Sequence, residues 1–97
     1  KLNKIKIQEG MILSNEPGYY KKGSFGIRIE NLVFVKKIKN KICFENLTLA
    51  PIDKELINYN LLTKLEKDYL FKYHLNIYSK LSKYLTHKER KWLATYI

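Results

Sequence analysis

What this 97-residue chain has little of narrows it first. A single cysteine, Cys43, excludes an internal disulfide, and it reads as a small apolar residue in a strand. No apolar run approaches the roughly 20 residues that cross a bilayer, and no secretory leader opens the chain. A membrane partner is therefore not expected, and a cytoplasmic setting is. No methionine stands first: the chain begins at Lys1, as a piece of a longer protein would. Arginine is scarce as well, with Arg28 and Arg90 alone among 19 basic side chains. The net charge of +10 raises nucleic acid as a partner. That charge is spread out, however, with ten basic and four acidic groups in residues 1–50 and nine and five in residues 51–97. Phosphate and base recognition favours arginine forks or a focused patch, so no nucleic-acid partner is expected. What is present excludes disorder: 45% hydrophobic and 13% aromatic residues are enough for a core.

The first half reads as β. Met11 to Ser14 is a short apolar run ended by Asn15-Glu16-Pro17-Gly18, a strong turn signal. Gly23-Ser24 is a second break. Phe25 to Val35 reads as one strand, closed by the polar run Lys36 to Lys41. Ile42 to Leu49 is the next strand, predicting a hairpin with Lys39-Asn40 near its tip, and Pro51 ends the β region. The second half reads as helix. Thr63-Lys64-Leu65-Glu66 matches a capping box, after which Leu65, Tyr69, Tyr73, Ile77, Leu81 and Tyr84 recur at spacings of three and four. Thr86-His87-Lys88-Glu89 repeats the box before a short final helix with Trp92, Leu93 and Tyr96. The expected fold class is α+β, with residues 1–53 as strands and 54–97 as a helical extension. Lys54 to Leu62 has no clear assignment.

Period two along Phe25 to Val35 puts Phe25, Ile27, Ile29, Val33 and Val35 on one face and Gly26, Arg28 and Glu30 on the other. An arginine and a glutamate two apart in a strand built for burial are costly unless paired or bound to a metal; an edge strand with a solvated pair is the plainer alternative. Glu16 is held extended by Pro17, and Gly18 allows the sharp reversal expected to follow. Two glutamates alone do not make a dinuclear centre, which needs more ligands and a bridging water.

Ser14-Asn15-Glu16-Pro17-Gly18-Tyr19-Tyr20 and Phe25-Gly26-Ile27-Arg28-Ile29-Glu30-Asn31 resemble the end of the catalytic domain of aminopeptidase P. That family belongs to the pita-bread-fold metallopeptidases, with prolidase and methionine aminopeptidase. Phe44 to Asp53 is similar to the family's next strand. Leu61-Leu62-Thr63, Tyr69-Leu70 and Tyr73-His74 resemble the helical extension of its larger members. The resemblance implies a pita-bread C-terminal portion and an Xaa-Pro aminopeptidase that hydrolyses the bond between an N-terminal residue and a following proline. It implies Glu16 and Glu30 as metal ligands, the second bridging two divalent ions. Mn²⁺ is the first expectation for such oxygen-rich ligation, with Zn²⁺ or Co²⁺ as alternatives. It also implies Arg28 as an arginine that orients the hydrogen-bond network and Tyr20 as a tyrosine on the substrate side. Two aspartates and the histidines of the family pattern have no counterpart, so the upstream part of the same catalytic domain must complete the site, and this segment alone is expected to be inactive. His74 and His87 lie away from the motifs, and Asp53 reads as structural. The implied partners are a peptide with proline second and a second copy in a homodimer. The alternatives are a prolidase-type dipeptidase, a non-catalytic remnant or binding module of the same fold and, more remotely, a small basic nucleic-acid-binding domain.

Overall fold

The computed structural model describes residues 4–97, and within them antiparallel strands precede two α-helices, an α+β arrangement. The chain divides into two compact units, Lys1–Thr48 and Leu49–Ile97.

The first unit holds β1 (Ile12–Asn15), β2 (Gly18–Lys21), β3 (Phe25–Arg28), β4 (Asn31–Ile38) and β5 (Lys41–Asn46). β1, β4 and β5 form one antiparallel sheet in that order, and β2 and β3 form a two-stranded ribbon. Three local devices set the pairing. At the entrance, Val35 N–H donates to Met11 O at 2.9 Å while Gly10 N–H donates to Val35 O at 2.9 Å. Two residues thus oppose one, a bulge that places Gly10 at φ 87°, where a side chain is strained. Between β2 and β3 the chain reverses through Gly23 at φ 69°, with Ser24 N–H donating to Lys21 O at 3.0 Å. Between β4 and β5, Ile38 pairs with Lys41 across Lys39 and Asn40 alone, at φ 48° and 63°. Two successive positive φ values define the two-residue turn whose twist matches that of the flanking strands. The expected hairpin tip is therefore the observed one.

Three strand expectations are corrected. The chain does not reverse at Glu16-Pro17-Gly18; β2 carries on from β1, and the reversal waits for residues 22–24. The expected strand Phe25 to Val35 is interrupted at Ile29-Glu30 and, past Val35, runs on to Ile38. The expected strand Ile42 to Leu49 stops at Asn46. Leu47 N–H still donates to Leu32 O at 2.9 Å, but the Thr48 hydroxyl accepts the Leu32 N–H at 2.9 Å and so replaces the next ladder bond. Among the described residues of this unit, Val33 and Val35 are the buried ones.

The second unit is organised by α1 (Lys64–Leu81), followed by a 3₁₀ turn at Ser82–Tyr84 and α2 (His87–Ala94). Both helices start on complete capping boxes. Glu66 N–H donates to Thr63 Oγ1 at 3.3 Å and Thr63 N–H to Glu66 Oε2 at 2.7 Å; Thr86 and Glu89 repeat the pattern at 3.3 and 2.7 Å. Two of the orphan N–H groups at each helix start are thereby satisfied. The expected stripe is partly out of phase. Tyr73 and Ile77 are buried and Leu81 half-buried, but Leu65 is 82% exposed and Tyr69 57%. The buried face is Leu70, Tyr73, His74 and Ile77.

Two consecutive residues of that face hold the chain that leads into the unit. The Tyr73 hydroxyl donates to Ala50 O at 2.7 Å, and Ile52 N–H donates to His74 Nε2 at 3.0 Å. The histidine, buried to 2% exposure, is thus a satisfied core residue that must be neutral at Nε2 to accept. Residues 54–62, left unassigned above, form two 3₁₀ turns. Asp53 caps the first through Glu55 N–H at 3.0 Å, and Asn58 caps the second through Asn60 N–H at 3.2 Å. The structural reading of Asp53 acquires a specific cause.

Candidate metal centre

Pro17 explains the geometry around Glu16. β1 pairs with β4 such that Asn15 faces Asn31, and β2 pairs with β3 such that Gly18 faces Arg28. Extending either ladder inward by one residue gives a single register: Glu16 opposite Glu30 and Pro17 opposite Ile29. Ile29 N–H donates to Pro17 O at 3.2 Å, which fixes that register across the gap. Pro17 has no N–H to return the bond, so regular strand structure lapses here while the two strands remain side by side. β1–β2 and β3–β4 are in effect one long antiparallel ribbon broken by one proline.

That ladder decides how the glutamates stand. Residues 17 and 29 form a rung on which backbone groups point at each other, so the neighbouring rung, Glu16 and Glu30, is of the other kind. Such rungs typically bring Cα atoms to within about 4.5 Å, with side chains closer than on hydrogen-bonded rungs. Alternation then puts Glu16, Gly18, Tyr20, Gly26, Arg28 and Glu30 on one face of the ribbon. Two side-chain observations agree. Arg28 Nη2 lies 3.9 Å from Glu30 Oε2, and the Tyr20 ring passes directly over the Cα positions of Gly18 and Gly26. The opposite face is apolar, with the Tyr19 and Phe25 rings 6.0 Å apart and Ile27 and Ile29 about half exposed.

Chemically, the arrangement offers a cation two carboxylates on adjacent strands of a paired ribbon. The side chains of Arg28 and Glu30 are 51% and 48% exposed, and 3.9 Å is a loose contact. An ion pair this open contributes little and leaves carboxylate lone pairs available. Among the described residues no three His, Cys, Asp or Glu side chains gather into a complete site, so Glu16 and Glu30 can supply only part of a ligand set. His74 is committed to Ile52, and His87 opens α2. The family resemblance points to Glu16, Arg28, Glu30 and Tyr20 and is silent on Gly18 and Gly26. The available signal was the alternation Gly26-Arg28-Glu30 itself, with glycine keeping clear the face that carries the charges.

Residues 40–97 match the C-terminal region of peptidase_M24, and residues 1–37 match Metallopeptidase family M24. The chain belongs to the peptidase_M24 family, in its C-terminal region. A probable Xaa-Pro aminopeptidase P of Botryotinia fuckeliana is 45% identical over 86 residues, covering 80% of this chain and 13% of that protein. A second, from Ajellomyces capsulatus, is 40% identical over 101 residues, covering 94% of this chain and 16% of that protein. The X-prolyl aminopeptidase of Caenorhabditis elegans, described as a cytosolic enzyme with a di-nuclear active site, superposes with a TM-score of 0.80 at 31% identity, over 93% of this chain and 16% of that one. The chain thus spans about one seventh of the length of these relatives.

Proposed function

We propose that this chain is the C-terminal part of a dinuclear Xaa-Pro aminopeptidase, contributing Glu16 and Glu30 to the metal centre. The observation that carries the reading is the single ladder register that sets the two glutamates on one rung. Two divalent ions would be held by this rung together with ligands from the rest of the catalytic domain. Mn²⁺ suits such oxygen donors, and Zn²⁺ or Co²⁺ can take the same place. When bound, such a pair activates water near neutral pH and stabilises charge developing on the scissile carbonyl. The chain's own residues have separate tasks. Glu30 would be shared between the ions and Glu16 would hold one of them, while the ribbon spaces the two carboxylates without needing either to move. Arg28 orients the Glu30 carboxylate through its guanidinium, and Tyr20 faces the substrate, a peptide with proline second. Prolidase-type action on dipeptides is the second reading within this class.

In the full-length protein, Glu30→Gln keeps the shape but removes the bridging charge. Metal content should fall, and hydrolysis of an Xaa-Pro peptide should drop by more than the 10- to 100-fold expected when a residue that merely orients a ligand is changed, as in Arg28→Lys. Normal metal loading with near-normal turnover in Glu30→Gln refutes the ligand assignment.

Two further expectations belong to the same reading. The full-length protein works in the cytoplasm; no helix among the described residues is long and apolar enough to cross a membrane. It also forms a homodimer through the helical unit. Leu65 and Tyr69, four residues apart on α1, are 82% and 57% exposed, an apolar pair suited to an interface. Light scattering on full-length protein carrying Leu65→Lys decides the matter, since an unchanged oligomer mass removes that role.

A further inference from the structure

The Tyr20 ring lies along the glutamate-bearing face of the ribbon in a seat made by two missing side chains. A Cβ built on Gly26 would stand 2.5 Å from Tyr20 Cδ1 and 3.0 Å from Cε1. A Cβ built on Gly18 would stand 2.7 Å from Tyr20 Oη and 2.8 Å from Cε2. The near edge of the ring is thus over Gly26, its partner across the ladder, and the hydroxyl end is over Gly18. These are approaches that no alanine tolerates. Neither glycine has the positive φ that would account for it through the backbone, unlike Gly10 and Gly23. Their shared property is that each lies beneath the same ring.

The seat has a direction. From Tyr20 the ring runs back toward Glu16, so the hydroxyl is held at the Gly18–Arg28 rung, two residues short of the Glu16–Glu30 rung. At about 3.4 Å of rise per residue, that is about 7 Å along the ribbon. This is a span of one to two residues of an extended peptide. A phenol there is an aromatic platform with a hydrogen-bonding tip, at the distance of a substrate group next to the bond under attack.

We infer that Gly18 and Gly26 are positioning residues, whose lack of a Cβ lays Tyr20 flat so that its hydroxyl hydrogen-bonds a peptide substrate two rungs from the paired glutamates. The inference rests on the peptidase reading above. Because the ring is one movable side chain, 66% exposed, a methyl group at either glycine turns it off the ribbon without disturbing the ladder. The loss is therefore one of placement, with little effect on folding.

The test uses full-length enzyme with Gly26→Ala, Tyr20→Phe and the double variant, measuring kcat and KM on an Xaa-Pro peptide, metal content and thermal midpoint. Loss of one substrate hydrogen bond predicts a fall of about three- to tenfold in kcat/KM for each single variant, carried by KM as befits a binding contact. Metal content and midpoint should stay at wild-type values. The double variant should be no worse than Tyr20→Phe, because a displaced ring without its hydroxyl has nothing left to lose. Additive losses, or an indifferent Gly26→Ala in an active enzyme, overturn the inference alone. Should Gly26→Ala lower the yield of folded protein, Gly18→Ala meets the same ring at its hydroxyl end and is judged by the same criteria. A wild-type enzyme that holds its metals yet hydrolyses no Xaa-Pro peptide sinks the peptidase reading, and this inference with it.

Discussion

The two units of this chain spend their residues in opposite ways. The helical unit turns polar groups into scaffolding: Thr63, Glu66, Thr86 and Glu89 close helix ends, Asp53 and Asn58 close turns, and even the buried His74 is bonded to a backbone N–H. The strand unit leaves its most consequential polar groups open. Glu16, Arg28, Glu30 and Tyr20 are exposed on one face of a ribbon whose other face is apolar and half exposed. The lesson is that the strand unit is built to be completed and the helical unit to hold itself together, so perturbations should separate along that division.

The largest separation is between the chain alone and the full-length protein. The isolated 97-residue chain should show no Xaa-Pro hydrolysis and only weak binding of Mn²⁺, since affinity falls with each absent ligand. Calorimetric titration beside a peptide assay checks this. Stoichiometric uptake of two ions with turnover would mean that the strand unit is self-sufficient and that the contrast fails.

Next comes stability. Ile77 in α1 is fully buried, so Ile77→Ala should cost about 2–5 kcal/mol. Ile27 in β3 is 49% exposed, and Ile27→Ala should stay within about 0.5 kcal/mol. Urea midpoints of the two variants measure the difference. Equal losses would mean that the strand unit has a core of its own comparable to that around α1.

A smaller effect is its response to acid. Burial lowers the pKa of His74 from its ordinary 6.5, and only the neutral ring can accept from Ile52 N–H. The unfolded chain therefore takes up the proton more readily than the folded one. This part of the stability is complete above about pH 6.5 and lost as pH falls through the depressed folded value. In His74→Gln that slope should flatten, which thermal midpoints from pH 7.5 to pH 5 would register; an unchanged slope assigns the acid sensitivity elsewhere. The smallest effect is at the helix starts. Thr63→Ala and Thr86→Ala should each cost about 1 kcal/mol. The backbone N–H and then the hydroxyl of each threonine lower the pKa of Glu66 and Glu89 below 4.5. The caps accordingly contribute above that value and fade on acidification through the lowered ones, a loss that circular dichroism followed during acid titration would register.

How much of this was legible beforehand depended on whether the signal was local. Both capping boxes, the hairpin tip at Lys39-Asn40 and the grouping of Arg28 with Glu30 follow from a few adjacent residues, and each appears as expected. The reading failed where one residue had two possible effects. Pro17-Gly18 reads as a turn, yet a proline between two already paired strands only deletes one ladder bond, and pairing from the other strand keeps the chain straight. A stripe phased on Leu65 and Tyr69 leaves out a histidine that belongs to the core. With His74 included, Leu70, Tyr73, His74 and Ile77 follow the i, i+3, i+4, i+7 pattern. The Tyr20 seat was out of reach, since it depends on two glycines on different strands lying under one ring.

The ribbon also changes what the interval of fourteen residues between Glu16 and Glu30 means. In a metal site built on a helix or a tight loop, ligand spacing is a bond-length constraint. For the ligand pair proposed here it is a round trip, seven residues out to the tip at Gly23 and seven back. The chemistry depends on where the two strands cross-pair, and the distance travelled in between has no bearing on it. Residues added at the tip lengthen the interval and leave the rung intact, provided that the loop absorbs them, while a slip of one residue in the ladder sends one carboxylate to the apolar face at unchanged spacing. A motif search that demands a fixed gap between the two glutamates will therefore miss functional relatives with longer tips and accept slipped, inactive ones. Anchoring the search on the proline after the first glutamate and on the Gly-x-Arg-x-Glu alternation around the second avoids both errors.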